Sequence, residues 1–386
     1  MESKLEKYNF IVLAPNRWDA VWMNRQHLFS IIGQEHNVIY SNAPFKHWDR
    51  KLTRYKSAPF FGENKKVDNV FNIEFPKYLL RITKLTFWDD FVKKMFIKKL
   101  EHRLEPNCRT ILYIFNPIYG EYINEIPHDF LVYHPYDDFN NLYSDSIAKE
   151  GEGLLLKKSD VMFTTSKLLQ KNYTERFHQP ENVFFVPNGV DFTLFTKVSN
   201  KVKGINFKNN RPKVGYTGSI NAKIDISLLS QLFKSLNHCD FYVVGTEGTI
   251  DSFQNGDMEN LKALPNVYFL GNQQLADVPS YMNAMDINII PYRTDPDSFA
   301  NAGYPLKLHE YLTIGKSIIC SPIDSAFEFK NVIAIKSGVE EWKTEINNLL
   351  NSKDTDENVQ LRKNVAQNNT WTKRTESILN TISKLF

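Results

Sequence analysis

The sequence has 386 residues, 42% of them hydrophobic and 24% charged, with a net charge of +3. That length passes the point at which one hydrophobic core usually stops growing, so two domains are expected, and the composition excludes a disordered or collagen-like chain. So small a net charge, with no helix-turn-helix or RNA-binding signature, argues against nucleic acid as a partner.

Cys108, Cys239 and Cys320 are scattered without metal-ligand spacing and cannot all pair with one another. This points away from a disulfide framework or zinc site and towards a reducing, cytoplasmic setting. Met1 to Lys7 carries two acidic residues and no apolar stretch precedes Phe10. No apolar run approaches the roughly 18 residues of a membrane span, so neither export by a signal peptide nor membrane integration is expected.

In chain order, Asn9 to Ala14 reads as a buried strand, and Leu28, Ile31 and Ile32 recur at helical spacing within Asn24 to Glu35. Val38 to Tyr40 begins the next strand, and Ile111 to Phe115 and Phe130 to Tyr133 supply further short apolar strands. This β-α-β opening predicts a doubly wound parallel sheet, with ligands at the carboxyl ends of its strands, where Pro, Asn and Asp gather. Lys46 to Lys66 and Arg81 to Arg103 are basic with interleaved aromatics. Within the second stretch Phe87, Trp88, Phe91, Phe96 and Leu100 alternate with Lys93, Lys94, Lys98 and Lys99. That pattern suits docking on an anionic membrane surface, and equally a helix packing one face on its own domain.

The polar, basic run Val198 to Arg211 reads as a linker. Beyond it a second alternation begins: strand Lys213 to Thr217, helix Leu228 to Leu236, strands Phe241 to Val244 and Val267 to Leu270, helix Val278 to Met282, strand Ile287 to Pro291. Two consecutive doubly wound modules are the simplest organisation, with no residue-level repeat between them.

Three segments carry the chemistry. Val186-Pro187-Asn188-Gly189-Val190-Asp191, running on to Phe195, is a strand ending in a Pro-Asn-Gly turn. Gly215-Tyr216-Thr217-Gly218-Ser219 ends a strand ahead of a helix, where glycines let backbone amides approach a diphosphate; a plain structural turn reads equally well. Its Gly-x-x-Gly spacing disfavours a dinucleotide fold, and Lys223 just beyond is placed to meet phosphate charge. Pro305-Leu306-Lys307-Leu308-His309-Glu310-Tyr311-Leu312 is a helix stopped by Gly315.

Together these segments resemble glycosyltransferase family 4 and its GT-B relatives, in particular enzymes of bacterial surface-polysaccharide biosynthesis of the teichuronic-acid type. The resemblance implies an α/β fold of the GT-B kind, two doubly wound Rossmann-like domains facing a cleft. Residues 1–197 would form the acceptor-side domain, with helix 372–386 crossing back to it, and residues 205–371 the nucleotide-sugar domain. It implies donor binding by Gly218, Ser219, Lys223, Leu270, Gly271, Asn272, Gly303, Tyr304, Pro305, Leu306, Lys307 and Glu310. The helix start would hold the diphosphate, and Glu310 would accept from both ribose hydroxyls.

The family's first glutamate, eight positions earlier, is absent, because position 302 is Ala302; this leaves the sugar contacts and the anomeric outcome open. Tyr133-His134-Pro135-Tyr136-Asp137-Asp138 resembles the family position beside sugar and acceptor, making His134, Asp137 and Asp138 the catalytic candidates. His134 could exchange a proton, or be structural, and a carboxylate could stabilise charge at the anomeric carbon. Arg25-Gln26-His27 at the start of the first helix resembles a recurrent feature of such bacterial enzymes, or is a plain helix start.

Asp295-Pro296-Asp297 spells the metal-binding Asp-x-Asp of the competing GT-A fold, but its place beside Pro291 and Ser298 reads as loop chemistry. No metal and no cofactor are expected. The implied activity is transfer from a nucleotide-diphosphate sugar, with uridine the commoner base, to a glycan or lipid-linked glycan. Retention would follow from family 4 membership, and domain closure would exclude water. A nucleotide-sugar epimerase and a non-catalytic nucleotide-binding relative are the rival readings, and a peripheral position on the inner face of the cell membrane would suit a lipid-linked acceptor.

Overall fold

A computed structural model describes every residue except 1–5, 140–145, 200–201, 206–208, 296–297 and 299. It divides into two compact units, residues 1–187 with 374–386, and residues 188–373.

The first unit is built on β1 (Asn9–Leu13), α1 (Asn24–Ile32), β2 (Asn37–Ser41), α2 (Thr53–Ser57), β3 (Glu63–Val67), β4 (Val70–Glu74), α3 (Thr86–Glu101), β5 (Thr110–Ile114), β6 (Phe130–Tyr133), α4 (Ser146–Lys158), β7 (Val161–Thr164), α5 (Lys167–Thr174) and β8 (Val183–Phe185). Its eight strands lie in the order β3-β4-β2-β1-β5-β6-β7-β8, all parallel except the β3–β4 hairpin. β1, β2, β5 and β6 are buried at every position, as continuous apolar strands covered on both faces must be. The strand order reverses between β1 and β5, and that switch point leaves a crevice at the strands' carboxyl ends.

The second unit comprises α6 (Phe192–Phe195), β9 (Lys213–Thr217), α7 (Ile226–Ser235), β10 (Asp240–Val244), α8 (Asn255–Ala263), β11 (Val267–Gly271), α9 (Val278–Asn283), β12 (Ile287–Ile290), α10 (Leu306–Ile314), β13 (Ser317–Cys320), β14 (Ala334–Ile335), α11 (Gly338–Asn351), α12 (Asp356–Gln367) and the start of α13 (Trp371–Leu385). Its parallel sheet runs β11-β10-β9-β12-β13-β14, so the switch point falls between β9 and β12. α7 buries Leu228, Leu229, Leu232 and Phe233 at helical spacing, and Phe233 stacks on Phe241 of β10 with centroids 4.0 Å apart.

The division between the units lies at Pro187/Asn188, ahead of the 197/205 division expected from sequence. The cause is packing: Val190 and Phe195 are buried in the second unit's core. Val190 also exchanges backbone hydrogen bonds with Asn369 and Trp371. A Cβ on Gly189 would come within 2.8 Å of the Trp371 nitrogen, so the Pro-Asn-Gly turn needs its glycine for this close passage. Part of the expected linker is also anchored, with Ile205 buried against Tyr242, Val244, Tyr281 and Met285. From Arg374 on, the chain belongs to the first unit, where Phe386 packs on Phe130 and under the Arg109 guanidinium.

The basic stretch around α3 resolves into two faces. Asp89, Val92, Phe96 and Leu100 are buried, whereas Phe87, Phe91 and Met95 face solvent. Phe96 and Leu100 therefore belong to the core and not to a docking face, because steps of three and four residues return to one side of a helix.

Candidate functional site

In the second unit the expected donor residues gather where β9, β10, β12 and α10 meet. Gly218, directly after β9, has φ +136, and Gly245, after β10, has φ +148. Both lie in a region that residues with side chains rarely adopt. A Cβ on Gly245 would stand 2.2 Å from the Gly218 oxygen, and one on Gly218 would stand 3.1 Å from the Lys307 Nζ. Two glycines thus let the loop pass close under a lysine. The Gly245 amide donates to the Gly271 oxygen at 2.9 Å, which joins the end of β11 to the same set of turns.

Lys307 lies in the first turn of α10. Its Nζ donates to the Tyr292 hydroxyl at 3.1 Å and sits 4.8 Å over the Tyr216 ring and 5.2 Å over the Tyr292 ring. Burial opposes its charge, but Tyr216, Tyr292 and Tyr311 outweigh that and hold the ammonium well above its ordinary range. No carboxylate pairs with it among the described residues. A half-buried cation held by ring faces and a hydroxyl beside a helix N-terminus is suited by its chemistry to an anion.

Glu310, three residues on, lies on the same face of α10. Burial pushes its carboxyl up to about 7, against the pull of Lys307.

The turn before α10 is fixed from two sides. Asn188 Nδ2 donates to the Tyr304 oxygen at 2.6 Å, and Ser325 Oγ donates to the Gly303 oxygen at 2.9 Å. The Tyr304 hydroxyl meets His309 Nε2 at 2.7 Å. The Tyr311 hydroxyl accepts from the Thr217 amide at 2.8 Å, tying α10 to the end of β9. Pro305 and Leu306 then open the helix, whose first amides have no intrahelical partner.

Of the remaining expected donor residues, the Ser219 oxygen accepts from the Tyr216 hydroxyl. The Lys223 carbonyl accepts from the Arg293 amide, Gly271 and Asn272 are exposed, and Leu270 packs on the small cluster around Ile205. Asp295 is gripped by Arg293 through two hydrogen bonds, while the Pro296 and Asp297 of the Asp-x-Asp motif lie outside the described residues. Among the described residues no group of three or more His, Cys, Asp or Glu is arranged to hold a metal ion.

The first unit places the other candidates differently. His134 is buried, its Nδ1 2.7 Å from the Tyr113 hydroxyl and its ring stacked on Phe115. Burial, with the Arg25 guanidinium nearby, pushes its pKa down to about 3. Of the two readings of His134, this surrounding favours the structural one, since imidazole charge is costly in that apolar stack. Asp137 and Asp138 are also largely buried, and Asn172 Nδ2 approaches Asp138 Oδ2 at 3.4 Å. Arg25 is buried, over the Tyr136 ring at 4.6 Å and donating to Asn16 Oδ1 at 3.1 Å.

At the first unit's switch point lies a cavity of about 440 Å³. Asn16 after β1, Asn42 after β2, Asn116 after β5 and Tyr136 after β6 line it, with Tyr119, Trp48 and Leu52. Its floor is an ion cluster in which Arg81 pairs with Asp89 at 2.6 Å and with Glu121 at 2.8 Å, and Lys46 also reaches Glu121. The Pro- and Asn-bearing strand ends were visible in the sequence, but the charged floor was not. It joins residues 40 positions apart in the chain, and no spacing rule reports such pairs.

The family model described as Glycosyl transferases group 1 matches residues 211–352, the stretch that holds Gly218, Lys307 and Glu310. That match lies wholly within the second unit. TuaH of Bacillus subtilis (strain 168), named as a teichuronic acid biosynthesis glycosyltransferase, is 29% identical to this chain over 199 residues. That match takes in 50% of this chain and 48% of TuaH, so it spans about half the length of the relative.

Solved structures similar to the chain include Anabaena HepE in complex with UDP, with a TM-score of 0.67 and 15% identity over 98% of this chain and 100% of that one. Another is sucrose-phosphate synthase from Thermosynechococcus elongatus, with a TM-score of 0.70 and 14% identity over 99% of each chain. The two doubly wound units therefore have the GT-B fold. No helix among the described residues is long and apolar enough to cross a membrane.

Proposed function

We propose that this chain transfers a sugar from a UDP-sugar, held by the second unit, to a glycan or lipid-linked glycan acceptor met by the first. The reading places it in surface-polysaccharide assembly, on the cytoplasmic side, working with retention and without a metal. The observation that carries it is the joint placement of Lys307, the α10 N-terminus and Glu310 around the Gly218 turn. That set matches the three parts of a nucleoside diphosphate: charge on two phosphates, oxygens that accept from amides, and a ribose diol. HepE binds UDP-glucose in a structure of this fold, which supports uridine as the base.

In the transfer, the acceptor hydroxyl oxygen bonds to the anomeric carbon as the bond from that carbon to the diphosphate oxygen breaks, the hydroxyl proton passes to the departing diphosphate oxygen, and UDP leaves. Charge builds on the departing diphosphate, and Lys307 with the α10 amides is pre-set to receive it, so little reorganisation is needed. Asp137 and Asp138 are the carboxylates left to answer positive charge at the anomeric carbon. His134, neutral and stacked, serves to hold the segment that carries them. Ser219 and Lys223 beside Gly218 would complete the phosphate cradle, with Leu270, Gly271 and Asn272 beside the base.

The assay is UDP release from a panel of UDP-sugars by the full chain, with and without a bacterial membrane-lipid extract, scored together with label in the extract's glycan fraction. UDP release and labelled product that both depend on the extract are expected. A sugar altered without UDP release would instead make the protein an epimerase, and nucleotide binding with neither product would make it non-catalytic.

A further inference from the structure

The exposed apolar side chains of the molecule are unevenly distributed. Of the seventeen large hydrophobic residues exposed in the described chain, nine lie between Trp48 and Met95. They are not scattered singly within that span. The Phe60, Phe61 and Tyr78 rings touch one another, with centroids 5.1 to 6.2 Å apart. The Lys77 amide donates to the Phe60 oxygen, and Trp88 Nε1 donates to the Leu80 oxygen, so the loop after β4 ties this cluster to the start of α3. There Trp88 leans on Phe91 at 5.7 Å, and Phe87, the most exposed of the set, projects beside it.

Charge on the same span is equally one-sided. Between residues 48 and 98 the exposed cations are Arg50, Lys51, Lys56, Lys65, Lys66, Lys84, Lys94 and Lys98, against the exposed anions Asp68 and Asp90. The whole chain is nearly balanced, at 47 basic and 44 acidic residues. Clustered aromatic and aliphatic side chains standing among lysines fit an interface of headgroups and acyl chains better than a protein partner. Exposed apolar clusters on a monomer commonly mark an interaction surface.

The cavity at the first unit's switch point opens on this face, since Trp48 and Leu52 line it and are both exposed. We infer that residues 48–95 dock the first unit on an anionic lipid surface with the cavity mouth turned towards it, so that the molecule entering the cavity is lipid-borne. The identity of that molecule as an acceptor rests on the transfer reading above; the docking itself does not.

The test uses the full chain and vesicles of phosphatidylcholine with and without phosphatidylglycerol. Co-sedimentation with the phosphatidylglycerol vesicles alone is expected. It should weaken roughly tenfold or more in F60S/F61S/F87S and in K84E/K94E/K98E, and in about 1 M salt. Retained stabilisation by UDP shows that each variant is folded. Quenching of tryptophan fluorescence by brominated lipid should be partly lost in Trp48→Phe, because Trp48 stands at the mouth.

No vesicle binding by the wild type, or binding untouched by both triple variants, would overturn the docking. Quenching equal in wild type and Trp48→Phe would overturn the orientation. Self-association in analytical ultracentrifugation that F60S/F61S/F87S abolishes, with vesicles ignored, would show a second copy as the occupant. Vesicle binding without UDP binding would leave the docking standing while the transfer reading fails.

Discussion

Glu310 and Lys307 show how one helical turn can hold opposite charges in strained readiness. The Glu310 carboxyl has an ordinary value of 4.5 and is pushed to about 7 by burial. Between those values the folded chain keeps a proton that the unfolded chain has lost, so folding stability falls as pH rises through the window and the loss is complete above it. Glu310→Gln removes the ionisation. Its melting temperature should match the wild type near pH 5 and exceed it near pH 8, a difference that a pH series of thermal melts reads directly. The cost borne by the wild type above neutrality is that of the ionised state which, on the proposed reading, accepts two ribose hydroxyls. His134 is the opposite case. Its burial also shifts its pKa, yet downwards and inside an aromatic stack, so titrating the protein through neutrality should leave its ring signals unchanged in NMR.

At the scale of elements, the site depends on how α10 begins. Asn188 belongs to the Pro-Asn-Gly turn more than a hundred residues earlier, and it fixes the carbonyl of Tyr304 just before the helix. Asn188→Ala should cost about 1 kcal/mol in denaturant unfolding. It should also weaken UDP binding, because the turn carrying the helix-start amides loses a tether. The sequence made the motif visible and gave it a place near mid-chain, but local turn chemistry alone could not report its partner. α3 teaches the same lesson. Its basic amphipathic character was legible, while the split of its apolar residues between a packed and an exposed face was left open, because five apolar residues at spacings of one to five suit more than one helical face. β3, β4, β7 and α8 went unread, and β8 was seen only as a strand ending at the Pro-Asn-Gly turn. β3 is a short polar edge strand, and polar residues on an edge carry no alternation to detect.

For the molecule as a whole, the alternation of strands and helices announced two doubly wound units, and each sheet reverses its strand order where its cavity or its glycine turn lies. What the alternation could not give was the content of those places. The first unit's cavity is walled by residues from four strand ends and floored by the Arg81 cluster, and such a set exists only once the sheet is wound. The central claim is that the second unit binds a nucleoside diphosphate through Lys307, Glu310 and the α10 N-terminus. Thermal shift with uridine, guanosine and adenosine diphosphates, on the wild type and Glu310→Ala, tests it most directly, since a ligand in excess that binds only the folded state raises its melting temperature. The account predicts stabilisation by uridine diphosphate that is largely lost in Glu310→Ala. A wild type left unmoved by saturating concentrations of all three would contradict it.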